Sequence, residues 1–124
     1  MGKFILVVDH TATLRHIAGY TLKKGGYEVV EAEDGITGLA ALKNNKIDLI
    51  ISDLDMPNMD GLEMVKNIKT DRKLKDIPIF MLTTNASAEA AHKGKSLGVT
   101  AWIVKPFVPD KLLEAVNKLL KNKK

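Results

Sequence analysis

The chain alternates between two hydrophobic periods five times over, and that alternation leaves few folds open to it. "FILVV" (4–8) is a short unbroken apolar run, the pattern of a strand buried on both faces. Leu14, Ile17, Ala18, Thr21 and Leu22 then fall on one face of a helix, with Thr11 or Thr13 placed to cap it and Gly25-Gly26 to stop it. "YEVVEA" (27–32) predicts a second strand. Asp34 should cap a helix with Ile36, Leu39 and Leu42 inward, ended by Asn44-Asn45. "DLIIS" (48–52) predicts the third strand, and Asp60 caps a helix carrying Leu62, Val65 and Ile68 inward. "IPIFML" (77–82) is the fourth strand, with Pro78 near its start, where a missing donor is tolerated. An alanine-rich helix over 86–97 ends at Gly98, and "AWIV" (101–104) is the fifth strand. Pro109 opens a last helix that faces inward with Leu112, Leu113, Val116, Leu119 and Leu120.

Five strand–helix repeats imply a parallel sheet with helices on both faces. Right-handed connections make it doubly wound. At 124 residues the chain suits one compact domain, and no linker or low-complexity tract divides it. Residues 1–124 are therefore expected to be a single unit with no output module.

Composition removes several chemistries. With no cysteine there is no disulfide, thiol nucleophile or cysteine zinc site. The apolar runs are too short to span a bilayer, and "MGKFILVVDH" carries no small-residue cleavage site, so a cytoplasmic location without membrane insertion is expected. The net charge is +4, concentrated in "KTDRKLKD" and "NKLLKNKK". No aromatics interleave with these lysines, so they read as solvated helix ends rather than a nucleic-acid surface.

In an open parallel sheet, ligands bind beyond the carboxyl ends of the strands. Asp9 and His10 follow the first strand there, Asp53 and Asp55 the third, Thr83, Thr84 and Asn85 the fourth, and Lys105-Pro106 the fifth. The second strand offers only Glu31 and Glu33. Acids, hydroxyls and one lysine thus converge from four distant segments. The set suits phosphoryl transfer. Carboxylates can hold a magnesium ion, and one can be the nucleophile that forms an acyl phosphate. A lysine and a hydroxyl can neutralise and bind the phosphoryl oxygens. A charge pair at 4 Å is worth about 4 kcal/mol at an effective dielectric of 20. Asp9, Asp53 and Asp55 together therefore call for a cation.

With "ILVVD", "DLDMPNMDG", "MLTT" and "IVKPF", the whole chain resembles the receiver domains of bacterial two-component response regulators, most of all the stand-alone chemotaxis-type receivers. The resemblance implies a flavodoxin-like (βα)5 fold, a five-stranded parallel sheet of order 2-1-3-4-5 with helices on both faces. It implies Asp53 as phosphoacceptor and Asp9 as one acid of a metal-binding pair. Asp55 would offer its backbone carbonyl to the metal. Thr83, with Thr84 beside it, and Lys105 would bind the phosphoryl group. The Lys105–Pro106 bond would be cis, and Trp102 stands where the family carries a switch aromatic. The implied activity is not classical enzymology but a switch that assists its own phosphorylation and dephosphorylation. The phosphoryl group would come from a histidine kinase, a phosphotransfer protein or a small phosphodonor. The output would be a protein target on the face of the fourth helix, fifth strand and fifth helix, with no direct nucleic-acid contact.

Two residues depart from the family pattern. His10 stands where a second acid is usual. An imidazole is a poor magnesium ligand and suits softer metals, manganese, nickel, copper or zinc. Three outcomes stay open: magnesium held through Asp9, Asp53 and the Asp55 carbonyl; another divalent metal, such as manganese, in its place; or a pseudo-receiver that binds partners without phosphorylation. The Asp55 side chain could replace the lost charge, orient water, or be a solvated loop acid. A haloacid-dehalogenase-like phosphatase also uses an Asp-x-Asp pair, but it asks for a cap insertion or a late acid pair that this sequence lacks. A nucleotide-binding flavodoxin-like module asks for a Gly-rich loop after the first strand, which is also missing.

Overall fold

A computed structural model describes residues 2–121. Five strands alternate with five helices: β1 (Phe4–Val8), α1 (Ala12–Lys24), β2 (Glu28–Ala32), α2 (Gly35–Asn44), β3 (Leu49–Asp53), α3 (Gly61–Lys69), β4 (Ile79–Thr83), α4 (Ala88–Ser96), β5 (Ala101–Val104) and α5 (Pro109–Leu120). All strand pairs are parallel, in the order β2-β1-β3-β4-β5. The flavodoxin-like doubly wound fold read from the sequence is the fold observed.

Alternate residues of the central strands feed two cores. Ile5, Val7, Leu49, Ile51, Phe80 and Leu82 meet Ala18 and Leu22 of α1 and Leu112, Val116 and Leu120 of α5. Leu6, Val8, Ile50, Ile79 and Met81 meet Leu42 of α2 and Met64, Val65 and Ile68 of α3. Burial on both faces is why these strands read as unbroken apolar runs.

Several local expectations shift. Asp53 and Thr83 are the last residues of their strands rather than the first of their loops: Asp53 pairs with Leu82, and Thr83 with Val104. At the other end Asp48 leaves β3, its carboxylate accepting the Phe4 N–H at 2.8 Å, and β4 begins only after Pro78. Ile36 was expected inward but is 54% exposed. Glycine, not isoleucine, faces the sheet: a Cβ on Gly38 would lie 3.1 Å from Val8 and 3.3 Å from Met64. Ile17 is likewise exposed, and α1 packs through Ala18, Gly19 and Leu22. Thr11 sits at the α1 N-cap without a side-chain cap, and α4 is shorter than expected, capped by Ser87.

Asp34 caps α2 as expected, in a reciprocal capping box with Thr37. Its other oxygen accepts the Asn58 amide at 3.3 Å, which ties α2 to the loop after β3, where Asn58 holds φ at +69°. The Thr37 backbone N–H, then its hydroxyl, then the Asn58 amide hold the Asp34 carboxyl below its ordinary range. A depressed carboxylate stabilises the fold above the unfolded value of about 3.9 and stops doing so as pH falls through the lower folded value. Asp34→Ala should therefore cost about 1 kcal/mol at neutral pH. Urea denaturation should show that cost shrinking in acid. A cost unchanged at low pH would contradict the assignment.

Candidate functional site

The carboxyl ends of β1, β3 and β4 deliver Asp9, Asp53 and Thr83 to one edge of the sheet, all buried. Asp9 is fixed from three sides. Its N–H donates to the Ala32 carbonyl at 3.0 Å, its Oδ1 accepts the Thr11 N–H at 2.8 Å, and its carbonyl accepts from Arg15 Nη1 at 2.6 Å. Arg15 is itself braced by Glu31 on β2 (Nε–Oε1 3.1 Å), which also meets His16 Nδ1 at 2.9 Å.

Asp53 is only 2% exposed, yet both its oxygens are engaged. Lys105 Nζ stands 3.1 Å from Oδ1 and His10 Nδ1 3.2 Å from Oδ2. The same Lys105 Nζ lies 3.3 Å from Asp9 Oδ2, so one ammonium bridges two buried carboxylates. Lys105 is placed by its own N–H, which donates to the Thr83 carbonyl at 2.7 Å, and its bond to Pro106 is cis, as the resemblance implied. Gly61 lets the following loop close over Asp53, because a Cβ there would lie 2.6 Å from the Asp53 carbonyl oxygen.

Thr83 connects this edge to α4. Its Oγ1 accepts the Asn85 N–H at 3.0 Å. The Asn85 carbonyl accepts the Trp102 indole N–H at 2.9 Å, and Asn85 Oδ1 accepts the N–H of Ser87, the α4 cap. The Trp102 ring lies on Gly94 of α4, where a Cβ would approach Cζ3 to 2.5 Å. Gly94→Ala should displace the chain's one tryptophan, shifting its emission to the red at a cost of about 1–3 kcal/mol. Unchanged emission would mean that the ring is not seated there.

Asp9, His10, Asp53, Thr83 and Lys105 thus come together as the sequence suggested. Thr84 is at the same edge but exposed. The Asp55 N–H approaches Asp53 Oδ1 at 3.4 Å, while its side chain is exposed and stands outside the Asp9–His10–Asp53 group. Trp102 is partly buried on β5, turned toward α4. Sequence reasoning missed Arg15, Asn58 and the close-approach glycines Gly61 and Gly94, and it placed Asn85 at this edge without giving it a role. Arg15 carried a weak signal, one turn into α1 and spaced to meet a β2 acid.

One ligand atom from each of Asp9, His10 and Asp53 lies within 4.8 Å of the other two, a donor set able to hold a metal ion. Its two carboxylates fit the oxygen preference of magnesium, while its imidazole nitrogen does not.

This geometry agrees with what the chain is similar to. A family model described as the response regulator receiver domain matches residues 5–117. The chemotaxis protein CheY-3 of Vibrio cholerae is 38% identical over 116 residues, 93% of this chain and 89% of that protein. A chemotaxis protein CheY homolog of Campylobacter jejuni is 39% identical over 118 residues, 94% of this chain and 91% of that one. Among solved structures, CheY4 of Vibrio cholerae superposes with a TM-score of 0.91 at 41% identity, covering 97% of this chain and all of that one. A CheY-like receiver domain protein of Methanospirillum hungatei gives 0.89 at 30% identity, covering 98% and 96%. The chain belongs to the response regulator receiver family, and its curated relatives are chemotaxis proteins of the CheY type. Receivers of this kind are signalling switches that work between histidine kinases and downstream targets. Among the described residues no helix is long and apolar enough to cross a membrane.

Proposed function

We propose that this protein is a phosphoacceptor switch in a two-component phosphorelay of the chemotaxis type, acting in the cytoplasm as a single receiver unit. Asp53 attacks the phosphorus of a phosphohistidine, on a kinase or phosphotransfer protein, or of a small phosphodonor; its oxygen–phosphorus bond forms as the donor's bond to phosphorus breaks, the imidazole or donor group leaves with that electron pair, and Asp53 becomes an acyl phosphate. The observation that carries this reading is the pairing of buried Asp53 with Lys105 at 3.1 Å, beside the buried Thr83 hydroxyl on the neighbouring strand. Lys105 would neutralise one phosphoryl oxygen and Thr83 would donate its hydroxyl to another. Asp9, Asp53 and the Asp55 carbonyl would hold a divalent cation, magnesium in the family pattern, with manganese or another divalent metal as the alternative. Such an ion supplies positive charge to the phosphoryl oxygens.

The output would run through Asn85. A Thr83 hydroxyl drawn to the phosphoryl group no longer accepts the Asn85 N–H. The loop that holds Trp102 and caps α4 then re-pairs. The surface of α4, β5 and α5 is the proposed docking face for a protein target, a two-state element biased by one charged group. A small phosphodonor should add one phosphoryl group per chain, mapped to Asp53 by reductive trapping and peptide mass analysis. Modification at another residue would overturn the assignment.

A second reading is a pseudo-receiver that binds partners without phosphorylation. One observation favours it: His10 replaces an acid and already occupies Asp53 Oδ2.

A further inference from the structure

One of the three donors that face the Asp53 pocket is a nitrogen. His10 follows Asp9 directly, so the two hydrogen bonds that fix the Asp9 backbone also fix where the imidazole leaves the chain. Its Nδ1 lies 3.2 Å from Asp53 Oδ2. Neighbouring ligands of one ion with bonds near 2.1 Å stand about 3.0 Å apart in an octahedron and about 3.4 Å apart in a tetrahedron. That separation therefore fits two ligands of a shared ion as well as it fits a hydrogen bond. Asp9 Oδ1 is committed to the Thr11 N–H, which leaves Oδ2 turned toward Lys105 and the pocket. The His10 side chain is 47% exposed, so its solvent side is open to an arriving ion.

We infer that His10 Nδ1 is a metal ligand and that this site takes divalent transition metals of the nickel–zinc class in preference to magnesium. The inference rests on the Asp9–Asp53 pocket being the cation site of the proposed phosphoacceptor. Two effects act in the same direction. Imidazole binds nickel, copper and zinc well, whereas magnesium demands oxygen and releases its water reluctantly. Moreover, Nδ1 cannot donate to Asp53 and ligate an ion at once. An ion that accepts nitrogen takes the Nδ1 lone pair, so the hydrogen bond ends and Nδ1 and Asp53 Oδ2 become neighbouring ligands of that ion. An ion that does not accept nitrogen meets Asp53 with a hydrogen bond on each oxygen, from His10 and from Lys105, and gains nothing from the imidazole.

The test uses the full chain with His16→Gln and His92→Gln, which removes the two other imidazoles. Zinc and magnesium are titrated separately, following Trp102 fluorescence and the imidazole nitrogen NMR signals of His10. Zinc should move the His10 Nδ1 resonance, and magnesium should not. The preference for zinc over magnesium should fall by about tenfold or more in His10→Ala. In His10→Asp it should fall further as magnesium tightens. Zinc that leaves the His10 ring signals unmoved, or a preference that is the same in all three proteins, would overturn the inference. Labelling by a small phosphodonor is measured separately. A chain that ligates zinc through His10 yet takes no phosphoryl group with any metal loses the phosphoacceptor role and keeps the ligand assignment.

Discussion

Asp53→Asn is expected to abolish phosphoryl uptake from a small phosphodonor, leaving no labelled chain above background. The amide has almost the same shape and can still accept from Lys105, so the fold should survive. What it lacks is the anionic oxygen that attacks phosphorus. No neighbour substitutes for it. Asp9 keeps Oδ1 on the Thr11 N–H, and the Asp55 side chain faces solvent. Intact-mass measurement after exposure to the phosphodonor checks this. Residual labelling within tenfold of the unsubstituted chain would remove Asp53 from the centre of the account.

Lys105→Met should be the most destabilising change at the site, by about 3 kcal/mol in the absence of metal. Its ammonium is the fixed positive charge between two carboxylates that are each 2% exposed. Methionine fills much the same volume and leaves two uncompensated acids facing one another. Two changes should restore part of the loss: a second substitution, Asp9→Asn, which removes the repulsion and leaves one uncompensated carboxylate, and added divalent metal, which replaces the missing charge. An exposed ion pair would cost less than about 1 kcal/mol and show neither rescue. Urea denaturation of the single and double variants, with and without metal, separates the two cases. A small loss that metal does not change would mean that the three side chains are solvated rather than coupled.

The fold was legible because the periods of large apolar residues mark buried strands and helix faces directly. That signal weakens where packing uses the absence of a side chain. Ile36 reads as an inward residue by size, but Gly38 faces the sheet, where α2 approaches Val8 and Met64 so closely that a Cβ would be crowded. The site was legible through its charged and hydroxyl side chains: their rarity beside apolar runs exposes Asp9, Asp53, Thr83 and Lys105. The strand limits were less so. Asp53 and Thr83 are polar and read as loop residues, while their backbones complete the ladder with Leu82 and Val104. Asn85 stood in view at the end of the fourth strand, but its role was hidden for a further reason. Its N–H meets Thr83 and its carbonyl meets Trp102, so the work is done by backbone atoms that every residue carries.

The measurement that tests the switch most directly follows Trp102 fluorescence as a divalent metal, then beryllofluoride as a phosphoryl mimic, is added. The account predicts a metal-dependent change and a further change with beryllofluoride as Thr83 releases Asn85, the second step being lost in Asp53→Asn. Failure of beryllofluoride to change the signal with magnesium, manganese or zinc, together with a response that His10→Asp restores, would contradict it. The domain would then be a binding module that His10 has closed to phosphorylation.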